Sequence, residues 1–306
     1  MNKENIVEVN GVSKVFKDFW QRPKIRAVDD LDLEVRKGEI FGLLGPNGSG
    51  KSTTIKMLLG LLYPTSGSIT VMKASPDNVA IKAKIGYLPE ETYLHGHLTG
   101  RETLSFYSQL FNMSRQDRNN RIAQLIKMTN LESSSDRPVG EFSKGMARRI
   151  GLAQSLINDP ELLILDEPTS GLDPIACRQI KDILKTLAKR GKTVIVTSHL
   201  LADMEDVCDR VAIMFAGRII ASGTVTEILS RKDMNRLTFP ALAQERLAPI
   251  LSAIKISGGQ EPILDSPSID LERFFIDEVK KADIRSNKLS TDQGDGPKIA
   301  DYLSHD

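Results

Sequence analysis

Cysteine is scarce in this 306-residue chain, with Cys177 and Cys208 the two present. They stand apart in segments that read as helix and form no CxxC pair or metal-ligand spacing. Neither a disulfide framework nor a zinc site is therefore expected, and both read as buried thiols of a reducing compartment. Long apolar runs are missing as well. The longest, such as LLIL at 162–165, have strand length and fall well short of the roughly 20 residues a membrane helix needs. Any membrane role then has to come through a partner. Charge of one sign is not in excess: 41 Lys and Arg face 40 Asp and Glu, for a net charge of +1. That balance gives no electrostatic footprint for nucleic acid, and none is expected as a partner. The first residues, MNKENIVEVNG, carry no apolar stretch after their charges. No secretory leader is expected, and the protein is expected to stay in the cytoplasm.

What is present is a globular composition, 40% hydrophobic and 26% charged, enough for one large domain and an appendage. Segments 6–9, 31–35 and 68–72 alternate apolar and polar, as half-buried, mostly antiparallel strands do. IFGLL (40–44), LLILD (162–166) and TVIVTS (193–198) do not alternate, which is the pattern of central strands covered on both faces. Helical stretches at 51–61, 175–190 and 200–208 follow them in turn, the order of a parallel sheet with helical crossovers. From about 95 to 160, helix patterns at 100–111, 115–129 and 145–157 contain no strand and read as an inserted helical subdomain. VAIMFAGRIIASG, 211–223, reads as a hairpin turning at Ala216-Gly217.

Beyond 228 the pattern weakens. The stretch holds prolines at 240, 249, 262, 267 and 297, one amphipathic segment at 269–282, and a polar, Gly-containing ending expected to be mobile. The expected division is a domain over 1–229 and a partly helical extension over 230–306.

GPNGSGKS, Gly45 to Ser52, fits G-x-x-x-x-G-K-[ST] and lies between a predicted strand and a predicted helix. A Gly-rich connection between strand and helix is the plain alternative. In the phosphate-binding reading, the backbone of Gly45, Pro46, Asn47, Gly48, Ser49, Gly50 and Thr53 wraps a polyphosphate at a helix N-terminus. Lys51 reaches its β and γ phosphates and the Ser52 hydroxyl ligates Mg²⁺. LLILDEP, 162–168, ends a buried strand in two carboxylates. Alone they would be a loop start; after a P-loop, Asp166 is placed to hold Mg²⁺ through water and Glu167 to act as general base on the attacking water. His199 closes the third core strand, at the edge where parallel sheets bind ligands, and is a candidate for contacting the γ-phosphate. In EFSKGMARRI, 141–150, Ser143 reads as an N-cap. Arg148 and Arg149 are expected to hold the helical surface or to pair with nearby acids.

The order GPNGSGKST, GYLPEE, FSKGM, LLILDEP, SGLDP, SH resembles the ATP-binding subunit of an ABC transporter, over about residues 6–228. The implied fold class is α/β, a P-loop NTPase core with an antiparallel β subdomain and an inserted helical subdomain. FSKGM stands where the family has its signature, usually LSGGQ, so Ser143 and Gly145 would contact ATP held by a second copy's P-loop. Lys144 and Met146 depart from the common residues. Asp173 and Ser170 in SGLDP would join the contact between copies.

Glu90 in GYLPEE replaces the family's usual glutamine. It is expected both to accept from Mg²⁺-bound water and to add negative charge beside Glu167, altering Mg²⁺ dependence. Phe16 in SKVFKD matches the aromatic residue that stacks on adenine, with Trp20 close by. IDLERFFIDEVKKA is similar to the terminal helix of exporter-type subunits. The resemblance implies ATP and Mg²⁺ as cofactors and an ATPase that dimerises with itself or a similar subunit. It also implies an integral-membrane permease as partner, on the cytoplasmic face of the membrane and more in the manner of export. The other class of reading is a soluble ABC-type ATPase acting on ribosomes, nucleic acid or a protein complex.

Overall fold

In the computed structural model, which describes residues 4–18, 20, 22–230, 242, 244–258 and 300–303, the three uninterrupted apolar runs lie side by side. The strands are β1 (Asn5–Lys17), β2 (Pro23–Arg36), β3 (Ile40–Leu44), β4 (Ser66–Val71), β5 (Ile85–Leu88), β6 (Leu162–Leu165), β7 (Thr193–Ser198), β8 (Arg210–Phe215) and β9 (Arg218–Thr224). The helices are α1 (Lys51–Leu58), α2 (Val79–Lys82), α3 (Gly100–Ser108), α4 (Arg115–Met128), α5 (Lys144–Ser155), α6 (Pro174–Lys189), α7 (Leu201–Glu205), α8 (Val225–Leu229) and α9 (Gln244–Gly258). One sheet has the order β5-β6-β7-β3-β8-β9, parallel except for the β8–β9 hairpin; the other is antiparallel, β2-β1-β4.

The apolar runs of the central parallel strands do not alternate because each face meets a different core. Side chains alternate across a strand. Ile40 and Leu44 of β3, Leu163 and Leu165 of β6, and Val194 and Val196 of β7 join the core shared with α4, α5 and α6. Phe41, Leu43, Leu162, Ile164 and Ile195 point the other way, into a core shared with α1 and the antiparallel sheet. In that second sheet Val7 and Val9 are buried while Glu8 and Asn10 are exposed, the alternation of a sheet with one wet face. Between β5 and β6 the chain forms α3, α4 and α5, with α3 packed on both others and α5 on β5. Thr99 and Glu102 close a reciprocal capping box at the start of α3.

Three features differ from the sequence reading. β5 is a four-residue edge strand without a periodicity of its own, and it pairs in parallel with β6 from Ile85↔Leu162 to Leu88↔Leu165. The third crossover helix is shorter than expected, five residues of α7. The ending, expected to be mobile, includes a packed stretch: residues 301–303 form a 3₁₀ turn, and Ala300 and Leu303 are buried in the helix-side core. Tyr302 donates its hydroxyl to the Leu156 carbonyl at 3.2 Å with the Arg121 guanidinium 4.3 Å from its ring centroid, and Arg190 donates to the Ala300 carbonyl at 3.1 Å. Apolar side chains spaced three apart give this short stretch a face to bury despite its polar flanks.

The chain divides into two compact units, Met1–Ile228 with Asp292–Asp306, and Leu229–Thr291. Within the second unit the described helix is α9, which carries Pro249 in its interior. The amphipathic segment at 269–282 lies outside the described residues.

Candidate functional site

Gly45 to Ser52 joins the C-terminal end of β3 to α1, and the backbone turn there needs glycine. Gly45 has φ +155 and Gly50 φ +108; a Cβ on the first would lie 2.3 Å from the Met214 carbonyl oxygen, and on the second 2.5 Å from that of Ala27. The loop is pinned to its neighbours: Gly45 N–H donates to the Ser198 carbonyl at 3.2 Å, and Gly217 N–H to that of Ser49 at 3.0 Å. Gly50, as N-cap of α1, provides no side-chain cap, so the first amides of the helix face the loop without a side-chain acceptor of their own. Lys51 is buried, and its Nζ donates to the carbonyls of Gly45 at 2.7 Å and Pro46 at 3.2 Å.

β6 lies one strand away from β3 across β7, and its end brings the acidic pair to the same edge. Thr197 on β7 organises both acids. Its hydroxyl donates to Asp166 Oδ1 at 2.5 Å and accepts from the Glu167 N–H at 2.9 Å. Glu167 holds a left-handed backbone, φ +51, which turns its side chain at the strand exit. Its Oε2 is 2.8 Å from His199 Nδ1 and its Oε1 is 3.7 Å from Lys51 Nζ. Among the described residues, Glu167 Oε1 and Ser49 Oγ are buried and have no hydrogen-bond partner. A buried carboxylate oxygen without a hydrogen bond is costly, and here it faces the ammonium of a Gly-rich cradle. This geometry fits a polyphosphate and a water molecule. Burial and the Asp166 carboxylate push the Tyr87 phenol up to about 12, as expected beside a concentration of negative charge.

Ser52 and Thr53, in the first turn of α1, are half-buried, and Asn47 and Gly48 are exposed at the tip of the loop. Glu90 is exposed two residues past β5, which pairs with β6, the strand that leads into Asp166. Among the described residues no three His, Cys, Asp or Glu cluster as a metal cage. The donor set of a hydroxyl and carboxylates near a phosphate cradle fits Mg²⁺, which takes few protein ligands and shares its shell with phosphates and water. Phe16 is 40% exposed on β1 opposite Ile25 of β2, two residues from the Ala27 whose carbonyl a Cβ on Gly50 would meet, with Lys14 Nζ 5.5 Å from its ring centroid. Trp20 stands exposed in the adjoining turn.

FSKGM is elsewhere. Ser143 caps α5, its Oγ accepting from Met146 N–H at 3.2 Å, and Gly145 is buried in the first turn. Asp173 caps α6 through Oδ1, which accepts from Ala176 N–H at 2.9 Å ahead of Pro174. α5 packs on β5, and a Cβ on Gly145 would lie 3.5 Å from Ala176 Cβ and 3.9 Å from Asp173 Oδ2 at the start of α6. The sheet brings Lys51, Asp166, Glu167 and His199 together, and Ser143 and Gly145 stand at the start of α5 facing the start of α6.

Two residues of the site carry no signal that sequence reading used. Thr197 looks like one more β-branched residue of a buried strand. Arg148 was expected to hold the helical surface or to pair with nearby acids; it is buried, with Asp166, Glu90 and Glu167 close enough to act on its charge, and its hydrogen bonds go to backbone carbonyls of two loops. Arg149 likewise donates to the carbonyls of Thr129 and Asn130 rather than to an acid.

The sequence profile of the family described as ABC transporter matches residues 28–170. An uncharacterized ABC transporter ATP-binding protein of Nostoc sp. is 34% identical over 308 residues, covering 92% of this chain and 92% of that protein. This chain belongs to the ABC transporter family. The Nod factor export ATP-binding protein I of Rhizobium johnstonii is 44% identical over 219 residues, 71% of this chain and 68% of that one. Among solved structures, the ATP-binding cassette MJ0796, in a dimeric post-hydrolysis state bound to ADP and Pi, superposes with a TM-score of 0.66 at 27% identity. The match covers 72% of this chain and 98% of the cassette. The P-loop NTPase fold is thus that of ABC ATPase cassettes, a family that binds ATP. No helix among the described residues is long and apolar enough to cross a membrane.

Proposed function

We infer that the chain is an ATP-hydrolysing subunit that pairs around two ATP molecules and drives a separate integral-membrane permease, in the direction of export. The observation that carries this reading is how the site residues group: Lys51, Asp166, Glu167 and His199 converge on one phosphate cradle, and Ser143 with Gly145 lie instead at the start of α5, where Gly145 faces Ala176 and Asp173 of the α6 start. A second copy, or a similar subunit, supplies the missing half. The dimeric state of the MJ0796 cassette and the export named for the Rhizobium relative support the pairing and the direction.

Each residue then has a task. The loop amides from Gly45 to Thr53 and the Lys51 ammonium hold the phosphates, and Phe16 stacks on adenine. Ser52 and, through water, Asp166 and Glu90 would hold Mg²⁺, which when bound neutralises phosphate charge. Glu167 Oε1 takes the proton of the attacking water while His199 fixes the other carboxylate oxygen. Capping and phosphate binding are compatible at Ser143: its oxygen accepts from Met146 N–H while its own hydroxyl proton remains to donate to the γ-phosphate across the interface. Asp173, held by the cap of α6, joins that interface beside Ser170. The subunit sits at the cytoplasmic face of the membrane through its permease.

Pairing is tested by light scattering of the Glu167→Gln protein. With ATP and Mg²⁺ it doubles in mass, and with ADP it does not. A mass that is unchanged by ATP contradicts the paired site. Glu90→Gln removes one negative charge from the metal side of the site. The Mg²⁺ concentration for half-maximal hydrolysis shifts while activity is retained; an unshifted Mg²⁺ profile removes the carboxylate from the metal's surroundings.

A further inference from the structure

The side chain of Arg148 joins two loops that the chain keeps far apart in sequence. It projects from the second turn of α5 and is 6% exposed. Its Nη1 donates to the carbonyls of Pro89 and Glu90, the latter at 2.9 Å, and to Thr92 Oγ1 at 3.2 Å. Its Nη2 donates to the Asp166 carbonyl and its Nε to that of Pro168 at 3.2 Å. Thus one fork is shared between the loop that leaves β5 and the loop that leaves β6.

Buried charge is expensive unless its donors are satisfied. Burial lowers the guanidinium to about 10, with the carboxylates of Asp166, Glu90 and Glu167 acting against that fall. Packing of α5 on β5 alone would not need a charge: Leu88 and Gly151 already meet there. What only a planar guanidinium does is to grip several carbonyls in fixed directions at once.

We propose that Arg148 is a positioning residue that clamps the Glu90 loop to the exit of β6, holding Glu90 in a fixed place relative to Asp166 and Glu167. It touches no reacting atom and acts through the backbone of its neighbours. The inference rests on the function proposed above, since it assigns Arg148 a part in that site.

Arg148→Lys keeps the charge and loses the fork. In the full-length chain we expect ATP affinity measured in EDTA to stay within about 2-fold of wild type, because Lys51 and the loop amides are untouched. The gain in affinity on adding Mg²⁺ should shrink, and kcat should fall roughly 10- to 100-fold, the scale of a misplaced group. Combined with Glu90→Ala, the losses should not multiply, because the side chain that the clamped backbone positions is already absent.

Thr92→Val removes one acceptor without touching the arginine. It should shift the same quantities in the same direction by a smaller factor, and it serves where Arg148→Lys does not fold. Wild-type protein that binds no ATP overturns the proposed function and with it this inference. Wild-type binding and turnover, with folded variants that keep the Mg²⁺ gain and kcat or whose losses multiply with Glu90→Ala, overturn the inference alone.

Discussion

Glu167→Gln lowers steady-state ATP hydrolysis by at least about 100-fold, the low end of what a positioned general base contributes. The substitution is chosen by geometry. The amide has the carboxylate's shape, can keep a contact to His199 Nδ1 at the site of the present 2.8 Å pair, and meets the same backbone turn at φ +51. What it cannot do is accept a proton at the position of Oε1, the buried oxygen without a hydrogen-bond partner. Binding and chemistry therefore separate. ATP affinity stays within a few-fold of wild type, turnover is lost, and the ATP-held pair accumulates. Hydrolysis at the wild-type rate would assign the base elsewhere.

Lys51→Met has its main effect on binding. The methionine fills much of the volume of the lysine stem, in a position that is 6% exposed, and removes the ammonium that the Gly45 and Pro46 carbonyls hold in the loop. Charge-assisted hydrogen bonds of this kind contribute about 1.5–3 kcal/mol, so ATP should bind roughly 10- to 150-fold more weakly. The variant also takes away the cation 3.7 Å from Glu167 Oε1, and hydrolysis should fall further than occupancy alone explains. Titration with a fluorescent nucleotide measures the first effect, and turnover at saturating ATP the second. An affinity within about 3-fold of wild type would place the phosphates away from this loop.

The parts of the fold legible in the sequence are those whose side chains report their surroundings. β3, β6 and the centre of β7 (194–196) run apolar without alternation because each of their faces meets a core, and β1 alternates because one of its faces meets water. β5 is not legible in that way: four residues hold no period, and its pairing comes from β6, which is more than seventy residues later in the chain. The 300–303 turn is hidden for a similar reason, since polar flanks surround the two residues it buries.

At the site, the P-loop and the acidic pair stand out because phosphate and metal chemistry demand particular residue types at fixed spacing. Arg148 does not stand out. Its partners are carbonyl oxygens near positions 89–90 and 166–168, and a backbone carbonyl leaves no mark on the sequence. Thr197 is equally silent, a β-branched residue in a β-branched strand until its hydroxyl is seen between Asp166 and the Glu167 amide.

Purification of tagged Glu167→Gln protein with ATP and Mg²⁺ from detergent-solubilised membranes of its own host tests most directly that this ATPase powers a permease. Recovery of a multi-span membrane protein in stoichiometric amount is the predicted result, with two ATP-binding subunits in the complex. Recovery of soluble machinery alone, with no membrane subunit in the ATP-held state, would contradict it.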